Sequence, residues 1–380
     1  MRTIRTLLIA VTAIFHSAAI AAPGDEVFQE TSHQASFKAV SVAEGLSIPW
    51  GLDFLPGGGL IVTEWTGAVR LIRDGVVSDP LEGGPALFTH PNGRRLGMLD
   101  VALHPDHAEN QLVYLCYHDG SYDSNVIRIG RARLADDRLN DLEVIFEGDN
   151  RANETAHGGC RLVWDDEGHV FATMGDRRHL ADESQNNSNV TGTIIRLNDD
   201  GTIPDDNPFV DTDNARPEIW AYGVRNVQGA AWHPETGELW FSEHGPLGGD
   251  EINIAKPGGN YGWPIATYGI DYDGTVITED EQLPGAEGPL TYWRPSTAPS
   301  GLAFYTGDDF PDWKGDLFVG SLGDRQLIRM ELDGERVLFK ESLLADWGER
   351  IRTVRMGPDG YLYIVPAADP GVILRLEPVQ

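Results

Sequence analysis

The chain is short of several things at once, and each shortage removes a class of protein. It has two cysteines in 380 residues, Cys116 and Cys160, which excludes a disulfide scaffold, a four-thiolate metal site and an iron–sulfur cluster. Its basic residues number 29 against 59 acidic ones, a net charge of −30, and only four of them are lysines (Lys38, Lys256, Lys314, Lys340). So acidic a surface repels phosphate backbones, which argues against nucleic acid as a partner. No P-loop, GxGxxG, GxSxG or HExxH pattern occurs. No segment keeps a 3.6-residue apolar period long enough for a large helical domain. With 41% hydrophobic and 23% charged residues, the composition is that of a folded protein and not of a disordered acidic tail.

The N-terminus has the three parts of a secretory signal: Arg2 and Arg5, the short apolar run Leu7–Phe15, and small residues up to Ala21-Ala22. The run falls short of the ~20 apolar residues a membrane span requires. The expected layout is a signal peptide over 1–21, an N-terminal linker over 22–36 and one domain over 37–380, periplasmic or secreted, with no membrane span. Export makes a Cys116–Cys160 disulfide chemically possible. Two buried free thiols are an equally good reading.

What the chain does have is a repeat. Six segments run apolar strand, Pro/Asp/Gly-rich turn, apolar strand, opening at Gly51, Asp100, Arg161, Gly229, Gly301 and Thr353. The spacings of 49, 61, 68, 72 and 52 residues suit four-stranded propeller blades with insertions. The expected fold is all-β, a single six-bladed β-propeller, with Phe37–Val42 pairing into the last blade to close the ring.

The repeat separates scaffold from function. His104 and His233 occupy the same turn slot before a proline, which marks them as turn residues. Polar residues that do not recur and that precede a repeat start are Arg95, His157, Arg225, Asn226, Arg350 and Arg352. Equivalent positions on successive blades share one rim of the central channel, so these side chains should converge. Guanidiniums, an amide and a histidine around one hole describe an anion pocket containing a base. A second cluster, Glu243-His244-Gly245-Pro246 to Asp250-Glu251 with Asn260-Tyr261-Gly262-Trp263-Pro264 after it, combines carbonyls and carboxylates that suit calcium. A glycine-rich acidic turn explains that cluster about as well.

Arg225-Asn226-Val227-Gln228-Gly229, Glu243-His244-Gly245-Pro246, Gly249-Asp250-Glu251-Ile252-Asn253 and Asn260-Tyr261-Gly262-Trp263-Pro264 resemble the soluble quinoprotein sugar dehydrogenases. Pro49-Trp50-Gly51-Leu52, Leu99–Pro105 and Gly348–Arg352 extend the resemblance from about residue 40 to the C-terminus. This is the glucose/sorbosone dehydrogenase family, especially its aldose sugar dehydrogenase branch. The resemblance implies pyrroloquinoline quinone (PQQ), calcium, a small-molecule sugar oxidised at its anomeric carbon to a lactone, and an electron acceptor of the quinone or cytochrome class. By the same resemblance His157 is the general base and Arg225 stabilises charge on the quinone oxygen. The resemblance further implies that Arg350 and Arg352 pair with the cofactor and that Asn226 holds the cofactor ring or the substrate; Arg95, on the same rim, is expected at the cofactor too. Gly245 and Pro246 lend carbonyls to calcium, and Asp250, Glu251 and Tyr261 form a nearby calcium site or brace that loop.

Three positions depart from the family pattern. Arg95 stands where a glutamine is common, Gly323 where a cofactor-binding lysine is frequent, and Val224 and Val227 flank Arg225-Asn226 where histidine and proline are usual. Arg95 or Arg325 could restore the missing charge. Two other classes fit the same fold: a calcium-dependent lactonase, against which the rim arginines argue, and a non-catalytic propeller without cofactor, which the missing lysine favours.

Overall fold

A computed structural model describes residues 22–93, 96–153 and 155–379. The expected signal segment 1–21 and Arg95 lie outside the described residues. Every one of the six repeats becomes an antiparallel sheet, five of them four-stranded and the last five-stranded. The inner strands are Pro49–Phe54, Met98–Leu103, Gly159–Trp164, Val227–Trp232, Pro299–Phe304 and Ile351–Met356, each starting two residues before its repeat position. They touch one another in sequence around a closed ring, so the fold is the six-bladed propeller.

Burial explains the residue types. Met98–Leu103 and Pro299–Phe304 are buried throughout and carry no polar alternation, because both faces meet neighbouring blades. The outermost strand Arg138–Glu147 alternates exposed and covered positions, because one face meets water. Six hydrophobic clusters lie one in each cleft between neighbouring sheets. No blade therefore covers its own apolar faces, and the ring folds as one unit.

Ser36–Leu46 pairs with Gly371–Pro378 in the last blade, so the N-terminal strand closes the ring as expected. The stretch 22–36 is not the linker that the sequence suggested. Glu26–Thr31 forms a further edge strand against Ser36–Leu46, with Phe28 opposite Ala39. Only Val27 and Phe28 of that strand lean on the core, which is why its mostly polar residues read as a connection.

Hydroxyls stitch the inner strands together. Thr63 Oγ1 donates to Leu99 O, Thr173 Oγ1 to Val227 O and Ser242 Oγ to Ser300 O. Ser300 Oγ then donates to Ile351 O and Thr353 Oγ1 to Trp50 O, which brings the chain of bonds back to the first blade. Blades two and three are joined differently, through Asp100 and Arg161 at 3.1 Å, and through the Cys116–Cys160 disulfide, with Cα atoms 6.1 Å apart. Among the described residues no helix is long and apolar enough to cross a membrane.

Candidate functional site

All six inner strands break register with their neighbours within their first residues. Such bulges bend the strand and re-aim the side chains at its start. At this end of the ring a cavity of about 200 Å³ is lined by His157, Asn226, Arg350 and Arg352, four of the residues singled out by their place before a repeat. Trp50, Gln228 and His244 line it too. Arg225 lines an adjoining hollow of about 470 Å³ together with Asp176, Pro246, Trp263 and Tyr272.

His157 is held from its Nδ1 side. That nitrogen lies 2.6 Å from Asp176 Oδ1, and the Asp176 side chain is almost fully buried. Asp176 is itself fixed: Arg178 N donates to Oδ1 at 2.8 Å and Trp263 Nε1 to Oδ2 at 3.0 Å. Nδ1 thus carries the proton toward the carboxylate, and Nε2 keeps its lone pair. Burial pushes the imidazole below its ordinary pKa; the Asp176 hydrogen bond and charge oppose this, while Arg225 and Arg178 reinforce it. The outcome is a neutral histidine, the state a base needs.

The backbone around it is strained. His157, Cys160, Arg177 and Arg178 all have positive φ, between 47° and 72°. The Gly175 backbone lies so near that a Cβ there would sit 2.0 Å from His157 O. Beneath the loop, Arg177 bonds to Asn125 and reaches Ala156 O at 3.5 Å. The unusual backbone is thereby over-determined by its surroundings.

Below the cavity lies a tier of cations around one indole. Arg161 Cζ stands 4.3 Å and Arg352 Cζ 5.6 Å from the Trp50 ring centre. Arg161 is buried, paired with Asp100 and bonded to Gln228 O at 3.0 and 3.2 Å. Arg355 shares the same carboxylate at 3.5 Å. Arg352 donates from Nη1 to Gln228 Oε1 at 2.7 Å, while its Nε is buried with no partner among the described residues. Burial, with Arg161 and Arg350 nearby, pushes Arg352 down to about 9. One carboxylate therefore faces several guanidiniums, and the surplus charge points at the cavity. Asn226 Oδ1 is taken by Gly159 N and Gln228 Nε2, which leaves its amide nitrogen for a ligand.

The loop after Glu243 is built around Arg225. Its Nη1 donates to His244 O at 3.0 Å and to Gly245 O at 2.7 Å, and its ring-facing side meets Trp263 at 5.3 Å. Asp250 accepts from Gly245 N, Ser296 Oγ, Thr297 N and Ala298 N, so its oxygens are occupied in bracing the loop. The Tyr261 hydroxyl donates to Ile254 O and accepts from Lys256 N, again a brace. Glu251 differs. Burial and Asp250 raise its carboxyl to about 7, and the buried Glu243 beside it is pushed well up by burial and by Glu251. Asn253 Nδ2 reaches both carboxylates while its Oδ1 is buried without a partner. The two carboxylates are oxygen ligands of the kind a hard cation takes, and Asn253 Nδ2 occupies the place between them.

At Gly323 a Cβ would meet Thr297 O at 2.7 Å, so no lysine side chain fits where the family often has one. Arg325 bonds to Gly348 O at 3.2 Å and is not part of the cavity lining. A further acidic cluster, Asp165, Glu167 and His169, lies at the other end of the same inner strand. Arg196 already holds a guanidinium against all three, so no metal is needed there.

Sequence reasoning gave no site role to Trp50, Gln228 or Asp176, and it placed His244 and Trp263 only in the calcium cluster. The first two stand one residue before a repeat start, as Arg352 does: Gln228 satisfies the same rule, and Trp50 would enter it only if aromatic residues were counted with polar ones. Asp176 gave no such signal: it follows the second strand of its blade and meets His157 only through the fold.

The chain matches the family model for glucose/sorbosone dehydrogenases over residues 46–375. It is 42% identical over 340 residues to the aldose sugar dehydrogenase YliI of Escherichia coli, covering 88% of this chain and 91% of that one. The crystal structure of the soluble aldose sugar dehydrogenase of Escherichia coli in its apo-form superposes with a TM-score of 0.85 at 39% identity, over 90% of this chain and all of the other. The PQQ-bound aldose sugar dehydrogenase of Streptomyces coelicolor gives 0.72 at 27% identity, over 94% and 99% of the two chains.

Proposed function

The chain belongs to the glucose/sorbosone dehydrogenase family, and from that premise we propose that it is an exported aldose dehydrogenase using PQQ and calcium. The observation that carries this reading is the Asp176–His157 pair standing beside a surplus of guanidiniums in one funnel. A base alone would serve a lactonase, and cations alone a binding protein. The two together serve oxidation with an anionic cofactor.

PQQ is a tricarboxylate, and the residues fit it. Arg350 and Arg352 offer guanidiniums, Arg352 Nε has no acceptor among the described residues, and Asn226, whose Oδ1 is engaged, lines the cavity with its amide. Arg95 joins them as a proposal from sequence alone. Calcium would be held by Glu251 with Glu243 in place of Asn253 Nδ2, whereas the Gly245 and Pro246 carbonyls would take it only once Arg225 releases Gly245 O. When bound, PQQ accepts the hydride from the anomeric carbon.

The rest of the chemistry belongs to this chain. His157 Nε2 takes the proton of the anomeric hydroxyl as the C–H bond breaks and C=O forms, giving the lactone. Asp176 holds the imidazole in the right tautomer and stabilises the positive charge it acquires. Arg225, pinned by two carbonyls, keeps a fixed positive charge beside the reacting groups. The expected export places the enzyme in the periplasm, where its electrons pass to a quinone or cytochrome.

Titrating PQQ into the calcium-loaded protein tests the cofactor reading. Saturable one-to-one binding is expected, weakened about ten- to a hundredfold in Arg352→Met by loss of a charged donor. Absence of binding to the unaltered protein would return the site to the lactonase and binding classes.

A further inference from the structure

We propose that Trp263 is a positioning residue for the base, acting on His157 through the Asp176 carboxylate. The inference rests on His157 being the base, and it assigns a purpose to the Asn260-Tyr261-Gly262-Trp263-Pro264 segment that calcium binding does not explain. Three groups form a line: Trp263 Nε1 to Asp176 Oδ2 at 3.0 Å, then Asp176 Oδ1 to His157 Nδ1 at 2.6 Å. The donor comes from blade four and the acceptor from blade three, so the line crosses a blade boundary that the parallel Tyr222–Asn260 bridge also spans.

The segment around Trp263 is built to hold that indole still. Trp263 N donates to Gly223 O at 2.9 Å, and its carbonyl accepts from Gln185 Nε2 at 2.8 Å. Asn260 Oδ1 accepts from Gln185 Nε2 at 3.0 Å and from Gly262 N at 2.9 Å, and Asn260 Nδ2 donates back to Gln185 Oε1 at 2.8 Å. Gly262 has φ of +87°, a turn that L side chains rarely adopt. The loop therefore ends in a side chain, 8% exposed, whose only polar atom meets a buried carboxylate.

Chemically, the indole N–H shares the negative charge of Asp176. With the donor present, less charge is focused on Oδ1, and the imidazole is held in line without being drawn to its protonated form. Arg178 N acts on Oδ1 in the same sense, and Arg225, Arg178 and His244 are the other charged or titratable groups around the ring. The indole face also meets the Arg225 guanidinium at 5.3 Å, so one side chain sets the relation between the base and the fixed positive charge.

The test uses nitrogen NMR of the histidines in the protein without PQQ or sugar, so its outcome does not depend on the dehydrogenase reading. In Trp263→Phe, which keeps the ring over Arg225, His157 is expected to become protonated at higher pH than in the unaltered protein. In the loaded enzyme the acid limb of kcat/KM moves up with it, and kcat falls about three- to tenfold while KM for the sugar changes less than about twofold. In an Asp176→Asn background the Trp263→Phe change should have no further effect on His157. A second measurement needs no variant: the Trp263 Nε1 proton resonance of the unaltered protein should move through the same titration as His157. A Trp263 resonance that stays constant through that titration, or a Trp263→Phe effect that persists undiminished with Asn at 176, would overturn the proposal. An unchanged His157 titration with only general destabilisation would do the same.

Discussion

Replacing Asp100 with Asn should pull stability and anion affinity in opposite directions. Asp100 is completely buried on the inner strand of blade two. It accepts from Arg161 of blade three at 3.1 Å, from Leu162 N at 3.0 Å and from Arg355 of blade six at 3.5 Å. Gly51 of blade one approaches so closely that a Cβ there would lie 2.5 Å from Asp100 Oδ1. Asp100→Asn keeps the shape and removes the charge, leaving Arg161 buried with no carboxylate. Breaking such a pair from one side costs about 3–5 kcal/mol. With roughly 2.1 cal/mol/K of unfolding entropy per residue, that lowers Tm by about 4–7 °C. The same change adds one net positive charge beneath Arg352, so PQQ should bind more tightly. Calorimetry at pH 7 gives the first quantity and cofactor titration the second. Arg161→Met in the same background should recover much of the stability, because a buried apolar residue needs no counter-ion. A Tm loss below about 1 °C, or weaker PQQ binding with the fold intact, would refute the reasoning about the cation tier.

Three further outcomes follow from the geometry. Replacing Cys116 and Cys160 by Ala opens a loop with a sequence separation of 44 and should cost about 4 kcal/mol, seen as a Tm drop of about 5 °C. Gly175→Ala drives a Cβ into His157 O and should lower kcat at least about tenfold with little loss of PQQ binding, checked by steady-state kinetics beside cofactor titration. The pH dependence has a fixed sign. Burial lowers His157, so the folded protein binds fewer protons than the unfolded chain as pH falls below the ordinary histidine value near 6.5. This group's contribution to stability is therefore lost as pH falls from there, whereas kcat/KM holds at 6.5 and drops only below it. An acid limb in kcat/KM centred above 6.5 would contradict the neutral base.

The scaffold was readable because the propeller repeats. Each inner strand begins two residues before the position where the apolar pattern restarts, and residues just before those starts converge as the ring closes. His157, Asn226, Arg350 and Arg352 came out of that rule alone. Glu26–Thr31 was hidden because an edge strand needs only Val27 and Phe28 to touch the core. Asp176 and Trp263 were hidden for another reason: their roles lie in bonds across 19 and 87 positions of sequence, which no local pattern encodes. The calcium expectation illustrates the same limit. Asp250 and Glu251 are neighbours in sequence, yet one is fully bonded as a brace and the other stands half-buried beside a second, buried carboxylate.

The central claim, that this funnel oxidises aldoses with PQQ and His157, is met most directly by one rate measurement. Mature protein is given PQQ and calcium, and dye reduction is followed across a panel of aldoses, with His157→Ala alongside. The account predicts turnover that requires PQQ, yields the lactone and collapses by at least about a hundredfold in His157→Ala, while that variant still binds the cofactor. Equal turnover in the two proteins, or PQQ bound by both with no sugar oxidised by either, would contradict it.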